Sequence, residues 1–385
     1  MSKNLPLHYH LLLADMDLVD IEEISSAGIF GHQRKTPRVD TEVLLYGRTP
    51  QYIFANDKIL SANLLSGTYS PALGVRAIME GMKDVRQIKV FVYDLGLRWP
   101  LKSFPSYELA FSSFENDVYM EGVLPKYFGS SPGEEPTMSR ETLKDLRRIL
   151  AILQNNIEKT PEAEHIITEC VPGGTTTAAA LLMLLGEDSF NSVSSSSDPE
   201  ILTRKQKMVC TLADAWRNGD RDILSVKFYM MDHFQVVLSE FLSDAEFFWA
   251  RPRNVPKIIL GGGVQMLAPM VYAEKVQRSH PHQFKLVSQL VEINTTPWVT
   301  AAMCETQIGR RFMRGASPFS IYKPHTIPFK LAGEKWDVYN DPTRSPREGL
   351  GLGAMLHVAE SSGFSPVEVA EMLKDTTEVY EKCKA

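Results

Sequence analysis

Apolar positions along the chain follow two rhythms. Short runs rich in β-branched and aromatic residues read as strands: HYHLLLADM (8–16), QYIFAND (51–57), QIKVFVYDL (87–95), EHIITECV (164–171), PKIILGG (256–262) and FKLVSQLVEI (284–293). Longer stretches with apolar residues every three or four positions read as helices over 70–83, 139–156, 175–186, 265–279 and 365–382. In the last of these, Ser365 and Glu368 have capping-box spacing and Pro366 stands at the first helical position. Strands alternating with helices predict βαβ units. The expected class is therefore α/β, with a mainly parallel sheet and helices on both faces. Two polar stretches, 128–139 and NSVSSSSDPE at 191–200, read as loops.

A length of 385 residues allows one large domain or two unequal ones. The net charge of −6 argues against a nucleic-acid partner. The basic cluster RKTPR (34–38) is short and stands beside Asp40 and Glu42, so it reads as a solvated loop. The first residues carry no long apolar segment, and no apolar run reaches the length of a membrane span, so a cytoplasmic protein is expected. Cys170, Cys210, Cys304 and Cys383 form no CxxC pair. Neither a zinc site nor a disulfide framework is signalled, and no metal or cofactor is expected.

Candidate chemistry gathers at three glycine-rich turns. In ECVPGGTTT (169–177) a strand pattern gives way to a helix pattern. Ligands of open parallel sheets sit beyond the carboxyl ends of strands, where the first helical N–H groups favour an anion. Gly173 and Gly174 would let the backbone come close, and Thr175 and Thr176 would add hydroxyls, which suits a phosphate monoester. No lysine follows the glycines, so this is not a Walker loop. Glu169 would suit a ribose hydroxyl or a ring nitrogen. The competing reading is a tight turn with threonine caps. A second turn, GGGVQM (261–266), carries Gly262, Gly263 and Gln265 between a strand and a helix, which suggests a shared crevice. The third, SPREGLGLGAMLHVA (345–359), sets Glu348 before Gly349, Gly351 and Gly353. A carboxylate in an apolar, glycine-lined place would have a raised pKa and could act as a general base. Its alternative is a surface glutamate paired with Arg347.

Together these segments resemble the nicotinate-nucleotide–dimethylbenzimidazole phosphoribosyltransferase family, in its archaeal and cyanobacterial branch. The family's E-x-x-x-G-x-T-T-A is matched by Glu169, Gly173, Thr175 and Thr176, and its E-G-x-G-A by Glu348, Gly349 and Gly351, with Leu352-Gly353 inserted before Ala354. The branch's G-G-T-Q-M resembles Gly262 to Met266 with Val264 for threonine, and its T-T-x-W resembles Thr295, Thr296 and Trp298. Residues 25–47 resemble the branch's opening segment, so the similarity runs over almost the whole chain.

The resemblance implies a Rossmann-like sheet in a large phosphoribosyl-binding domain (51–344). It adds a smaller helical part with acceptor-site residues, formed by 1–50 and 345–385, and a homodimer. It implies transfer of the phosphoribosyl group of nicotinate mononucleotide to 5,6-dimethylbenzimidazole or a related base, giving α-ribazole 5′-phosphate for a cobamide lower ligand. The alternatives are a non-catalytic nucleotide-binding paralogue (a sensor or assembly partner) and the same transfer to adenine or another base. Glu348 would be the base and Glu169 would meet the ribose. Asp232 and Gln235 match the branch's G-D-P-M-Q segment without its glycine and proline. Tyr69 either stacks on the acceptor or belongs to a helix-capping turn. His233 reads as a core or surface histidine or as a ligand contact. Met230, Met231, Met266 and Met270 line a flat apolar pocket or pack in the core.

Overall fold

The computed structural model describes residues 5–20, 33–47, 70–97, 118–122, 138–187, 199–217, 223–226, 231–249, 257–277, 287, 289–297, 299, 307–308, 310, 320–322, 327–337 and 348–382. The expected strand at 51–57, together with Tyr69, Met230, Trp298 and Arg347, lies outside them. Among the described residues, seven strands form one sheet: β1 (Leu7–Leu13), β2 (Ile88–Asp94), β3 (Val118–Gly122), β4 (Glu164–Cys170), β5 (Ile258–Gly261), β6 (Val291–Asn294) and β7 (Ser320–Tyr322). Their order is β3-β2-β1-β4-β5-β6-β7, and every neighbouring pair is parallel. The sheet grows outward in both directions from the β1–β4 pair. That pair is the topological switch point, and the crevice beyond its carboxyl ends is where ligands of such sheets bind.

Helices cover both faces. Alternate residues of β1 point to opposite sides: Leu7, Tyr9, Leu11 and Leu13 join one core, and Leu12 the other. The first core is closed by α1 (Thr36–Tyr46), α2 (Pro71–Met82), α8 (Leu352–Ser361) and α9 (Pro366–Lys382). The second is closed by α3 (Arg140–Glu158), α4 (Gly174–Leu184), α5 (Pro199–Arg217), α6 (His233–Ser243) and α7 (Leu267–Val276). In α3, Leu143, Leu146, Ile149, Leu150, Leu153 and Ile157 are buried at helical spacing. Each such side chain contributes about 1.5–3 kcal/mol by leaving water. Ser139 caps this helix by accepting from the Thr142 N–H at 3.0 Å. Helix α4 is apolar on nearly all sides because it is wedged between the sheet and other helices. The Ser365–Glu368 capping box forms: the Ser365 N–H donates to Glu368 Oε2 at 2.7 Å, and the Glu368 N–H donates to Ser365 Oγ at 3.3 Å.

Three local readings need correction. RKTPR is not a solvated loop: Arg34 and Arg38 are 7% and 6% exposed, and α1 begins inside the cluster with Pro37 in its first turn. Ion pairs Arg34–Asp15 (3.6 Å) and Arg38–Glu42 (3.5 Å) make that burial tolerable. Among the described residues of 284–293, the strand is Val291–Ile293. Val287, Gln289 and Leu290 are helical, because Val287 and Leu290 face the core three residues apart. The end of the 191–200 stretch is not loop, since α5 starts at Pro199. β1, from the 1–50 segment, is a central strand of the sheet, while α1, α8 and α9 pack together with α2 on one face. Among the described residues no helix is long and apolar enough to cross a membrane.

Candidate active site

The site is built on the carboxyl ends of β4, β5 and β6. After β4 the chain turns through Gly173, whose φ of +83° is the left-handed conformation glycine adopts without strain. A side chain there would also strike Met16 Cε at 2.8 Å, on the segment following β1. The turn therefore closes against the switch point. Helix α4 starts at once without a side-chain cap; at its start the Gly174 and Thr176 N–H groups donate to the Val171 (3.0 Å) and Gly173 (2.8 Å) carbonyls. Thr176 Oγ1 is buried and has no hydrogen-bond partner among the described residues. Thr177 is occupied: its hydroxyl lies 2.6 Å from Asp232 Oδ2 and accepts from Gln235 Nε2 at 3.1 Å. Asp232 Oδ1 accepts the Gln235 N–H at 2.8 Å and caps α6. Asp232 thus caps α6 through Oδ1 and ties it to α4 through Oδ2.

Lys205 of α5 reaches the same turn. It is 4% exposed, and its Nζ donates to Thr175 Oγ1 at 3.4 Å. Burial lowers its pKa to about 8, so it is mostly charged at neutral pH. A lysine charge beside the start of a helix is suited to an anion. This residue was missed from the sequence. The readable signal was its place on the apolar stripe of α5, in line with Leu202 and Val209.

Gln265 joins the first two turns. Its Nε2 donates to Glu169 Oε1, and its Oε1 would stand 2.9 Å from a Cβ on Gly174. Glu169 Oε2 accepts the Val171 N–H at 2.7 Å. Burial pushes the Glu169 carboxyl up to about 8; the Val171 bond opposes this, and the charges of Asp232 and Glu348 add to it. Gly263 stands at the other side, where an added Cβ would lie 4.0 Å from Glu348 Cβ and Cγ. Space at Gly262 is taken by Met266. Met231, Met266 and Met270 are core residues. His233 is also buried, with Nδ1 2.6 Å from the Leu95 carbonyl oxygen.

Glu348 is partly buried, and its carboxylate is held by four donors. Oε2 accepts from Thr296 N–H (2.6 Å) and Thr295 Oγ1 (3.1 Å). Oε1 accepts from the Gly349 and Gly353 N–H groups, both at 3.2 Å. Burial raises its pKa and these four bonds counter the rise. The glycines around it serve close backbone packing. A Cβ on Gly353 would run into the Thr295–Thr296 backbone, and one on Gly351 would sit 2.9 Å from Thr168 Oγ1. Gly349 rests on Pro71. Leu350 has φ +49°, a left-handed conformation that costs a non-glycine residue roughly 1–2 kcal/mol. Its carbonyl accepts the Tyr9 hydroxyl, which helps hold it there.

No family model matches the chain. A UPF0284 protein of Prochlorococcus marinus is 26% identical over 374 residues, covering 94% of this chain and 85% of the relative. The UPF0284 protein of Methanocaldococcus jannaschii is 25% identical over 345 residues, covering 88% and 84%. Among solved structures, the nicotinate-nucleotide-dimethylbenzimidazole phosphoribosyltransferase of Thermus thermophilus superposes with a TM-score of 0.50 at 16% identity, over 96% of this chain and 82% of that one. The chain has the fold of these phosphoribosyltransferases. CobT from the same organism gives 0.51 at 15% identity, over 96% and 83%. The expected α/β architecture with a parallel sheet is thereby established.

Proposed function

We infer that the protein transfers the phosphoribosyl group of nicotinate mononucleotide to 5,6-dimethylbenzimidazole or a related aromatic base. The observation that carries this reading is the pairing of an anion-ready turn at the switch point with a carboxylate beside it: Gly173 to Thr176 with Lys205, then Glu169–Gln265, then Gly263 and Glu348. The fold shared with the Thermus enzyme adds to it. The 5′-phosphate belongs at the α4 N-terminus, where Thr176 has a hydroxyl to offer and Lys205 a charge. The ribose lies toward Glu169, and the acceptor toward Glu348.

The chemistry needs one base and no acid. Nicotinate leaves C1′ as a pyridine, taking the bonding electrons and becoming a neutral ring nitrogen. The acceptor's ring nitrogen donates its lone pair to C1′ from the opposite side, which inverts the anomeric centre. The acceptor's N–H proton goes to Glu348. Proton transfer of this kind contributes about 10²–10⁴ in rate, and alignment of the two substrates supplies much of the rest. To take the proton, one Glu348 oxygen must release a donor; Thr295 Oγ1, at 3.1 Å, is the donor free to rotate away.

A second reading has one observation in its favour. With four donors on two oxygens, Glu348 is as well placed to brace its own turn as to accept a proton. A nucleotide-binding protein without turnover would use it that way. Incubation with nicotinate mononucleotide and a panel of bases, read by mass spectrometry, separates the two. Nicotinate release with formation of one base's ribotide is the expected result and names the acceptor. Nucleotide binding with no product from any base favours the binding protein, and absence of both means that only the fold is shared.

A further inference from the structure

At the opposite end of the switch-point strands, three histidines meet. His8 and His10 are two apart on β1, so their rings share one face of the sheet, and His165 is the residue paired with His8 across the β1–β4 ladder. All three are buried on the face covered by α3. One ring nitrogen from each lies within 4.8 Å of one from each of the others. The ring planes of His10 and His165 stack at 5.2 Å, and His8 meets His165 edge-on at 5.1 Å.

We propose that His8, His10 and His165 bind one divalent transition-metal ion of the zinc class. The argument rests on where the other ring nitrogens go. His165 Nε2 lies 3.1 Å from the Thr160 carbonyl oxygen and can only donate to it. Thr160 Oγ1 gives its own proton to the Asn156 carbonyl (2.9 Å), so it accepts from His8 Nδ1 at 3.1 Å. His10 Nδ1 lies 3.0 Å from the Tyr93 hydroxyl, which the Asn156 amide holds at 3.1 Å. Each imidazole is therefore fixed through one nitrogen by an outer oxygen, the arrangement that orients metal-ligating histidines. His165 Nδ1, His10 Nε2 and His8 Nε2 are the nitrogens left to converge.

In the absence of an ion, the His10 Nε2–H donates to His165 Nδ1 at 2.9 Å. A metal takes the place of that proton. The proton moves to His10 Nδ1, the Tyr93 hydroxyl becomes its acceptor, and the Asn156 amide turns over to accept from Tyr93. Three tetrahedral ligands at about 2.0–2.1 Å from zinc stand about 3.3 Å apart, so the His10–His165 pair opens slightly and His8 closes in. All three rings are buried, and the neutral imidazole is the form that binds metal. Among the described residues no carboxylate joins the cluster, which selects an imidazole-preferring ion over magnesium or calcium. The ion would staple β1, β4 and the end of α3 together, far from the phosphate turn.

The test uses the full chain without a histidine tag, stripped with a chelator and titrated with cobalt(II) alone. The expected result is one equivalent bound, with visible d–d bands that zinc(II) then abolishes. The bands should vanish in His10→Phe and in His8→Gln, and persist in His357→Gln, a histidine on α8 outside the cluster. Thr160→Val should weaken the ion by roughly 10–100-fold while the three ligands remain, since it removes only the outer oxygen that orients His8. If His10→Phe does not fold, His8→Gln decides the question. Absence of bands at any cobalt concentration, or bands that survive His8→Gln, would overturn the assignment.

Discussion

The turns at Gly173 and Gly351 are built alike and do opposite things. Each places a left-handed glycine, φ +83° and +67°, at the start of a helix with no side-chain cap. At the first, the following threonine hydroxyl of Thr176 is buried without a partner among the described residues, and Lys205 stands nearby. At the second, the N–H groups of Gly349 and Gly353 are consumed by Glu348 from within the same turn. One turn leaves a buried hydroxyl and a lysine beside its helix start; the other spends N–H donors on a carboxylate of its own. In the proposed function, these two similar backbones separate phosphate binding from proton acceptance.

The largest break in this comparison should come from Gly353→Ala. Its Cβ would collide with the Thr295 carbonyl carbon, a backbone atom that cannot move aside. Overpacking costs typically about 1–3 kcal/mol and more where backbone is struck, so a large drop in the urea midpoint is expected. Gly263→Ala, whose Cβ would have 4.0 Å of room, should leave stability nearly unchanged and gives the contrast. Next, Lys205→Met should weaken nicotinate mononucleotide binding by about 1.5–3 kcal/mol in calorimetry, the worth of a charge-assisted hydrogen bond. Thr176→Val should cost roughly 1–2 kcal/mol of the same affinity; unchanged affinity would remove its hydroxyl from the site.

The smallest effect is in pH. Burial raises the pKa of Glu169 to about 8, of Asp40 to about 7 and of Asp232 to about 6. These carboxyls hold protons in the fold that the unfolded chain has released, so stability is greatest below their unfolded values of about 4, falls as pH rises from there, and levels off above about 8. Denaturation midpoints near pH 6 should exceed those near pH 8. Nucleotide affinity should decline above about pH 8, as Lys205 loses its charge and Glu169 gains one.

Much of this was legible in the chain, and the gaps have physical causes. ECVPGGTTT announced its turn because glycine pairs and threonines between two apolar runs have few other uses. Strands β3 and β7 escaped notice; each is a short edge strand. Arg34 and Arg38 looked solvated since charge usually is, yet ion pairs with Asp15 and Glu42 carried them inside. Lys205 and the histidine cluster were hidden because sequence distance conceals contacts made through the sheet. His10 and His165 are 155 residues apart and 2.9 Å from each other.

The division of labour between the two turns is tested most directly by measuring nucleotide affinity and turnover on the same preparation of Glu348→Gln, beside Lys205→Met. The account predicts that Glu348→Gln binds nicotinate mononucleotide nearly as the parent does and forms no ribotide, while Lys205→Met loses affinity first. Equal loss of binding and turnover in a folded Glu348→Gln protein would contradict it, and would make Glu348 a brace for the turn instead of the base.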